Sequence, residues 1–262
     1  MKYILIDNGY YTHASIFAWK NRKNIPPTYT YLSMILGDLK KVGLDEEDVV
    51  IIAEDKGKSW RKEIDTAYKS TRKAKREKHV DIPWKKHWDS FNNFMELLDS
   101  NTPFHCVGIW TLEADDIISY CVRNFKEECI ILSVDKDFEQ LFTFPNVKIF
   151  SPKSKHYKKP LKNPYKSLLG KVKKEASDDL ISPILSKEDY DRRLKIVSLL
   201  ELPEEVDEKI KEKVSVLPRK ELIFENIPYK TLRERMRKLY DKSNALDYEK
   251  DINRKKKTRR KK

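Results

Sequence analysis

The sequence predicts an α/β fold, with a mostly parallel central sheet flanked by helices and a small helical C-terminal region. Short apolar runs at 3–6, 49–54, 104–107, 130–134 and 147–150 alternate with helix-like stretches near 28–42, 86–100, 114–126 and 137–143. That alternation builds a sheet covered on both faces. The runs 49–53 and 130–134 are continuously apolar, as strands buried on both sides are. Past about residue 185 the pattern gives way to short helices punctuated by Pro203, Pro218 and Pro228.

In chain order, the first strand, Tyr3 to Ile6, ends on Asp7, and the second, Val49 to Glu54, ends on Asp55. Glu113-Ala114-Asp115-Asp116 reads as a helix start, with acids where the macrodipole favours them. The strand at 130–134 runs into Asp135-Lys136-Asp137. Ser186 followed by Asp189 opens another helix, and Tyr190 to Leu202 carries apolar residues at helical spacing. The expected division is a core over 1–184, which includes a basic helical segment at about 56–85, then a helical region over 185–250 and a disordered basic tail over 251–262.

In parallel sheets ligands bind outside the carboxyl ends of the strands. Asp7, Asp55 and Asp135 are therefore expected on one rim. Two unit charges about 4 Å apart repel by roughly 4 kcal/mol at an effective dielectric of 20. Acids pooled in this way call for cations, and several hard oxygen ligands around two ions are what a two-metal site needs. Taken singly, each cluster has an ordinary explanation: a helix N-terminus at 113–116, a cap at Asp137, a turn at Asp7. Their combination on one rim favours the metal site.

The rest of the chain is basic. Its 262 residues hold 55 Lys and Arg against 42 Asp and Glu, a formal charge of +13. The excess points to an anionic partner, nucleic acid ahead of membrane. It concentrates in three runs: residues 56–80, the nine lysines of 152–174, and 254–262. In the first, Lys58, Trp60, Arg61, Tyr68, Lys69, Arg72 and Arg76 lie within twenty residues. Lys69, Arg72 and Arg76 share a helix face suited to phosphates, and Tyr68 is a candidate base stacker. A solvated surface helix is the plain alternative.

Several classes fall away. Three cysteines, Cys106, Cys121 and Cys129, with no Cys-x-x-Cys spacing argue against a disulfide framework or structural zinc. Gly57-Lys58-Ser59 lacks the spacing of a phosphate loop. No Ser/His/Asp triad is legible. No signal peptide or membrane span is apparent, so a soluble, cytoplasmic protein is expected.

The order Asp7, Asp55-x-Gly-Lys-Ser-Trp-Arg, Tyr68-Lys69-x-x-Arg72, Glu113-Ala114-Asp115-Asp116 and Ser133-Val134-Asp135-Lys136-Asp137 resembles the 5′-nuclease family. That family includes flap endonucleases, 5′-3′ exonuclease domains and bacteriophage ribonuclease H, and the bacteriophage type is the nearest in pattern. The resemblance runs from about residue 3 to 240. It implies a PIN-like 5′-nuclease core that binds two Mg²⁺ or Mn²⁺ ions and cuts DNA flaps or RNA primers near 5′ ends. By motif position, it implies metal ligation by Asp7, Asp55, Glu113, Asp115, Asp116, Asp135 and Asp137, with Glu175 and Asp178 in the place of a Gly-Asp-x-x-Asp run. Asp115 and Asp135 would be central to catalysis. Lys69 with Arg72 or Arg76, from a helical arch, would neutralise the scissile phosphate. His13 would take the place of an aromatic that stacks on a nucleotide, and Lys58, Arg61 and Tyr68 would join the nucleic-acid contact. The glycine-rich K⁺-binding hairpin of many relatives has no counterpart after Asp179, and the nine lysines of 152–174 are the substitute duplex contact.

Expected partners are DNA and RNA/DNA duplexes with 5′ ends or flaps, and replication proteins such as a single-strand-binding protein or a clamp, with the chain itself a monomer. Two rival readings stand beside this one. A PIN-type single-strand ribonuclease shares the carboxylate site, but compact PIN domains lack the basic segment and the length. A non-catalytic nucleic-acid-binding protein with a vestigial site would bind in a salt-dependent way and cut nothing.

Overall fold

A computed structural model describes residues 1–173, 183–218 and 220–240. Glu175 and Asp178 of the fifth acidic cluster, and the tail 251–262, lie outside the described residues. The described chain centres on a six-stranded sheet with the order β3-β2-β1-β4-β5-β6. Strands β1 (Tyr3–Asp7), β2 (Val49–Glu54), β3 (Phe104–Gly108), β4 (Cys129–Leu132) and β5 (Val147–Ser151) run parallel. The short β6 (His156–Tyr157) closes one edge antiparallel.

Successive strand residues face opposite sides, and both sides are covered here. Ile4, Ile6, Val50, Ile52, Ile130 and Leu132 belong to one core, while Leu5, Ile51, Ile131 and Ile149 belong to the other. This is why the strands read as unbroken apolar runs. In register, Tyr3 pairs with Val49 on one side and Cys129 on the other. The carboxyl ends of β1, β2 and β4 therefore emerge side by side, about 4.8 Å apart from strand to strand.

The first core is closed by α1 (Asn8–Asn21), α2 (Pro27–Val42) and α5 (Trp84–Asn101), and the second by α6 (Ala114–Asn124). Helix α2 starts on Pro27 and ends at Gly43, whose φ of 72° only a glycine adopts readily. The basic segment forms α3 (Arg61–Ile64) and α4 (Thr71–Glu77).

The structure departs from the sequence expectations in four places. Asp137–Thr143 winds as a 3-10 helix rather than an α-helix. Helix α1 was not anticipated, because its apolar residues are spread around the helix rather than along one stripe. Helix α7 (Pro164–Lys173) lies inside the lysine-rich run that offered little apolar periodicity. Helix α8 (Lys187–Val197) starts as expected, with Ser186 Oγ accepting from the Asp189 amide at 3.1 Å, but stops five residues short of Leu202.

Helices α9 (Glu204–Val214) and α10 (Lys230–Tyr240) pack on opposite faces of the sheet. Val206, Ile210 and Val214 join the core of Leu5 and Ile51, while Leu232 and Met236 join that of Ile4 and Ile6. Arg235 fastens α10 to α2 through Ser33 Oγ at 2.6 Å. The described part of 185–250 thus completes the two main cores. Among the described residues no helix is long and apolar enough to cross a membrane.

Candidate active site

Asp7 ends β1 and also caps α1, accepting from the Gly9 amide at 3.1 Å. Its second oxygen accepts from Ser133 Oγ at 2.7 Å. Ser133 is fully buried, and its Oγ also accepts from the Asp135 amide at 3.0 Å. One hydroxyl therefore ties the end of β1 to the loop after β4. Asp55, just past β2, accepts from the Ala114 amide at 2.8 Å, which satisfies one of the free N–H groups at the start of α6. Asp115 follows in the first turn of that helix.

These four carboxylates feel one another. Loss of hydration, with Asp55 and Asp135 nearby, pushes the Asp7 carboxyl up to about 6 against the pull of its Ser133 hydrogen bond. Asp115 is raised well above the usual carboxylate range by loss of hydration, then by Asp7 and Asp135. Asp55 and Asp135 are exposed, and Asp7 and Asp115 half-buried, so the group opens to solvent. Among the described residues no three acidic, imidazole or thiol groups close into a ready cage for an ion. Mg²⁺ keeps several waters and takes only one or two carboxylates directly. An open rim of mutually repelling carboxylates fits such a hydrated, hard cation.

Three of the other expected ligands are held by cations. Glu113 accepts from Arg61 Nη1 at 3.1 Å, Tyr68 Oη at 2.9 Å and Lys69 Nζ at 2.5 Å. Burial works to raise the Glu113 carboxyl, but Lys69 and Arg61 outweigh it and hold the group below the usual range. Asp137 pairs with Lys171 of α7, and its amide donates to Asp135 Oδ1 at 2.8 Å. Asp116 is a different case. It is fully buried, takes a bidentate pair from Arg61 at 3.0 and 2.7 Å, and accepts from Trp60 Nε1 at 3.1 Å and the Glu113 amide at 2.9 Å. Its oxygens are occupied, so it anchors Arg61 instead of facing the rim with Asp7.

The expected nucleic-acid residues divide in the same way. Arg61 is 2% exposed and also donates to the Ile196 carbonyl at 2.8 Å, which removes it from solvent and from phosphates. Tyr68, 5% exposed, is likewise buried and serves Glu113. A surface reading of both fails because sequence spacing does not reveal that the start of α3 and the turn after it both face inward. His13 is half-buried and packs its ring against Trp84 and Trp88. Lys58 and Arg72 are exposed, and of Arg76 only the backbone is described. In the lysine-rich run, Lys155 pairs with buried Asp38, and Lys158 with Glu139 and the Asp135 carbonyl.

Lys69 is one of the cations at this rim. Its backbone takes a φ of 55°, a left-handed conformation that costs a non-glycine residue about 1 kcal/mol. Loss of hydration works to lower its ammonium, yet Glu113, Asp115 and Asp55 raise it. Ser133 carried no role in the sequence reading, and Lys171 was expected only among the nine lysines of a duplex contact, not as the partner of Asp137. A serine two residues before the Asp-x-Asp run was the available sign of the first; nothing in the spacing marks the second.

Comparison with known proteins shows the family and the fold. The family model described as "5′-3′ exonuclease, N-terminal resolvase-like domain" matches residues 2–176. A 5′-3′ exonuclease of Mycoplasmopsis pulmonis is 31% identical over 144 residues, covering 53% of this chain and 45% of that protein. Ribonuclease H of Enterobacteria phage T4 is 33% identical over 134 residues, covering 49% of this chain and 43% of that protein. The matches thus span less than half the length of these relatives. The fold is shared with a zinc-bound bacteriophage T5 5′-exonuclease at a TM-score of 0.63 and 18% identity, covering 83% of this chain and all of that one. It is also shared with a bacteriophage T5 flap endonuclease in a pseudo-enzyme–product complex with DNA and metal ions, at 0.56 and 19%, covering 91% and 98% of the two chains. On the family match over residues 2–176, the chain belongs to the 5′-3′ exonuclease family.

Proposed function

We propose that this protein is a structure-specific 5′ nuclease that hydrolyses phosphodiesters in 5′-flap or RNA-primed duplexes with two Mg²⁺ or Mn²⁺ ions. The observation that carries the reading is the set Asp7, Asp55, Asp115 and Asp135, gathered from β1, β2, α6 and the loop after β4 with their charges in mutual conflict. Relatives named as 5′-3′ exonuclease and ribonuclease H support the reaction class. Solved structures with bound metal, one of them also with DNA, support the cofactor and the substrate.

Asp7, Asp55, Asp115 and Asp135 would hold the ions, with Glu113 and Asp137 joining once Lys69 and Lys171 yield. Glu175 and Asp178 belong to the second site in this reading. Bound ions would supply an ionised water and charge stabilisation at the phosphorus. Lys69, already placed by Glu113, would meet the scissile phosphate together with Arg72. Lys58, Arg72 and Arg76 would track the backbone, and Asp116 with Arg61 would hold α6 and the basic segment in register. The enzyme would act as a cytoplasmic monomer alongside replication proteins.

The deciding experiment is a cleavage assay with Mg²⁺ on end-labelled flap, nick, gap and RNA-primed duplexes. The expected result is cutting near the 5′ end that Asp115→Asn or Asp135→Asn abolishes while binding persists. Full activity in both variants, or in EDTA, refutes the reading. Preference for single-stranded RNA over the flap points to the PIN-type ribonuclease instead. Salt-dependent binding with no cleavage under any divalent ion points to the non-catalytic protein.

A further inference from the structure

We infer that Trp110 is a fixed stacking platform for a nucleic-acid base beside the carboxylate rim. Tryptophan is usually well buried, yet Trp110 is 73% exposed. It is not loose. A side chain at Gly57 would meet the indole ring carbons at 2.9–3.1 Å, so the ring lies directly against the bare Gly57 backbone. The loops carrying the two residues are clipped together by their main chains. The Lys56 amide donates to the Leu112 carbonyl at 3.1 Å, the Thr111 amide to the Lys56 carbonyl at 2.9 Å, and the Trp60 amide to the Thr111 carbonyl at 2.9 Å. Gly57 at φ 72° and Thr111 at φ 71° make the turns that allow this. An indole held on one side and largely exposed is pre-ordered for a second flat ring.

Position and charge say what that ring belongs to. Gly57 lies two residues after Asp55, and Trp110 three before Glu113, at the carboxyl ends of β2 and β3. Since β3 is the second strand away from β1 in the sheet, the strand end that leads to Trp110 lies about 10 Å from the one that carries Asp7, the length of a few stacked nucleotides. Lys58, the residue after Gly57, is exposed and carries a positive charge on the same loop. The occupant is a base of the strand whose backbone passes the carboxylates. This rests on the nuclease reading for the choice of substrate.

The test is equilibrium binding of a fluorescein-labelled 5′-flap duplex in Ca²⁺, by anisotropy, between 50 and 200 mM salt. Loss of one base stack by alanine substitution weakens binding roughly 5–140-fold. Trp110→Ala should show that loss with an unchanged salt slope, and Trp110→Phe should stay within about threefold of the parent protein. Lys58→Ala, by contrast, should flatten the slope. Trp110→Ala binding within twofold of the parent overturns the inference, as does an altered slope or a Phe variant as weak as Ala. Circular dichroism checks that the variants fold. A parent protein that binds but never cuts in Mg²⁺ sinks the nuclease reading and leaves the stacking result standing. Cutting without any effect of Trp110→Ala on binding does the reverse.

Discussion

Neutralising Asp7 should make the metal-free protein more stable while removing the proposed cleavage. The folded carboxyl sits at about 6 against an ordinary value of 3.8. Between those values the folded chain holds a proton that the unfolded chain has released, so stability falls as pH rises through that window. At pH 7.5 the shift corresponds to about 3 kcal/mol, which screening at the open rim reduces to about 2 kcal/mol. Asp7→Asn keeps an oxygen to cap α1 at Gly9, turns the second contact into an amide N–H donated to Ser133 Oγ, and removes the charge. For a chain of this size, each kcal/mol moves the melting temperature by about 2–4 °C. Calorimetry in EDTA at pH 7.5 should find the variant about 4–8 °C more stable, with the gain shrinking toward zero at pH 4. Mg²⁺ should raise the melting temperature of the parent protein and lift the variant far less. A variant no more stable than its parent at pH 7.5, or a gain that persists at pH 4, would refute the electrostatic account of the rim.

Further outcomes follow from other contacts. Arg61→Met leaves Asp116 buried without its cation and should destabilise the fold by about 3–5 kcal/mol in chemical denaturation, whereas Lys58→Met should change it by less than about 0.5 kcal/mol. Lys155→Met strands the carboxylate of Asp38, which then keeps only the Tyr11 hydroxyl at 3.0 Å, and a loss of about 2–4 kcal/mol is expected by the same measurement. Lys69→Ala should lower single-turnover cleavage by about 10²-fold, with flap affinity reduced much less. It should also let the Glu113 carboxyl rise toward its ordinary range, observable by NMR titration.

The parts legible in the sequence are those written in local chemistry. Strands β1, β2 and β4 could be read because they are buried on both faces and therefore unbroken in apolar character, while β3 and β5 showed short apolar runs broken by His105 and Lys148. The acids Asp7, Asp55 and Asp135 could be placed together because parallel topology sends strand ends to one rim. Helix α8 announced its start through Ser186 and Asp189. What escaped depended on long-range packing. Nothing near Arg61 in sequence tells that it turns inward to Asp116 and the Ile196 carbonyl, so it read as a surface cation. Asp116 looked identical to Asp115, although one helix position separates a residue locked in the interior from one at the rim. Helix α1 was hidden because its buried stripe, Tyr11, Thr12, Ser15 and Ile16, is half polar while apolar Phe17 is exposed.

The contact between Arg61 and the carbonyl of Ile196 separates what is recognisable from what can stand alone. The family match ends at residue 176, twenty residues before that carbonyl. A chain cut there would lose the oxygen that seats the base of the cationic segment. It would also lose the Leu199 main chain that meets Ser119 and Gln140, and the two helices that roof the sheet on either side. The remainder contributes main-chain acceptors and apolar bulk rather than side chains of the rim. The stretch with the least family signature is then as necessary to assembly of the rim as the acids themselves.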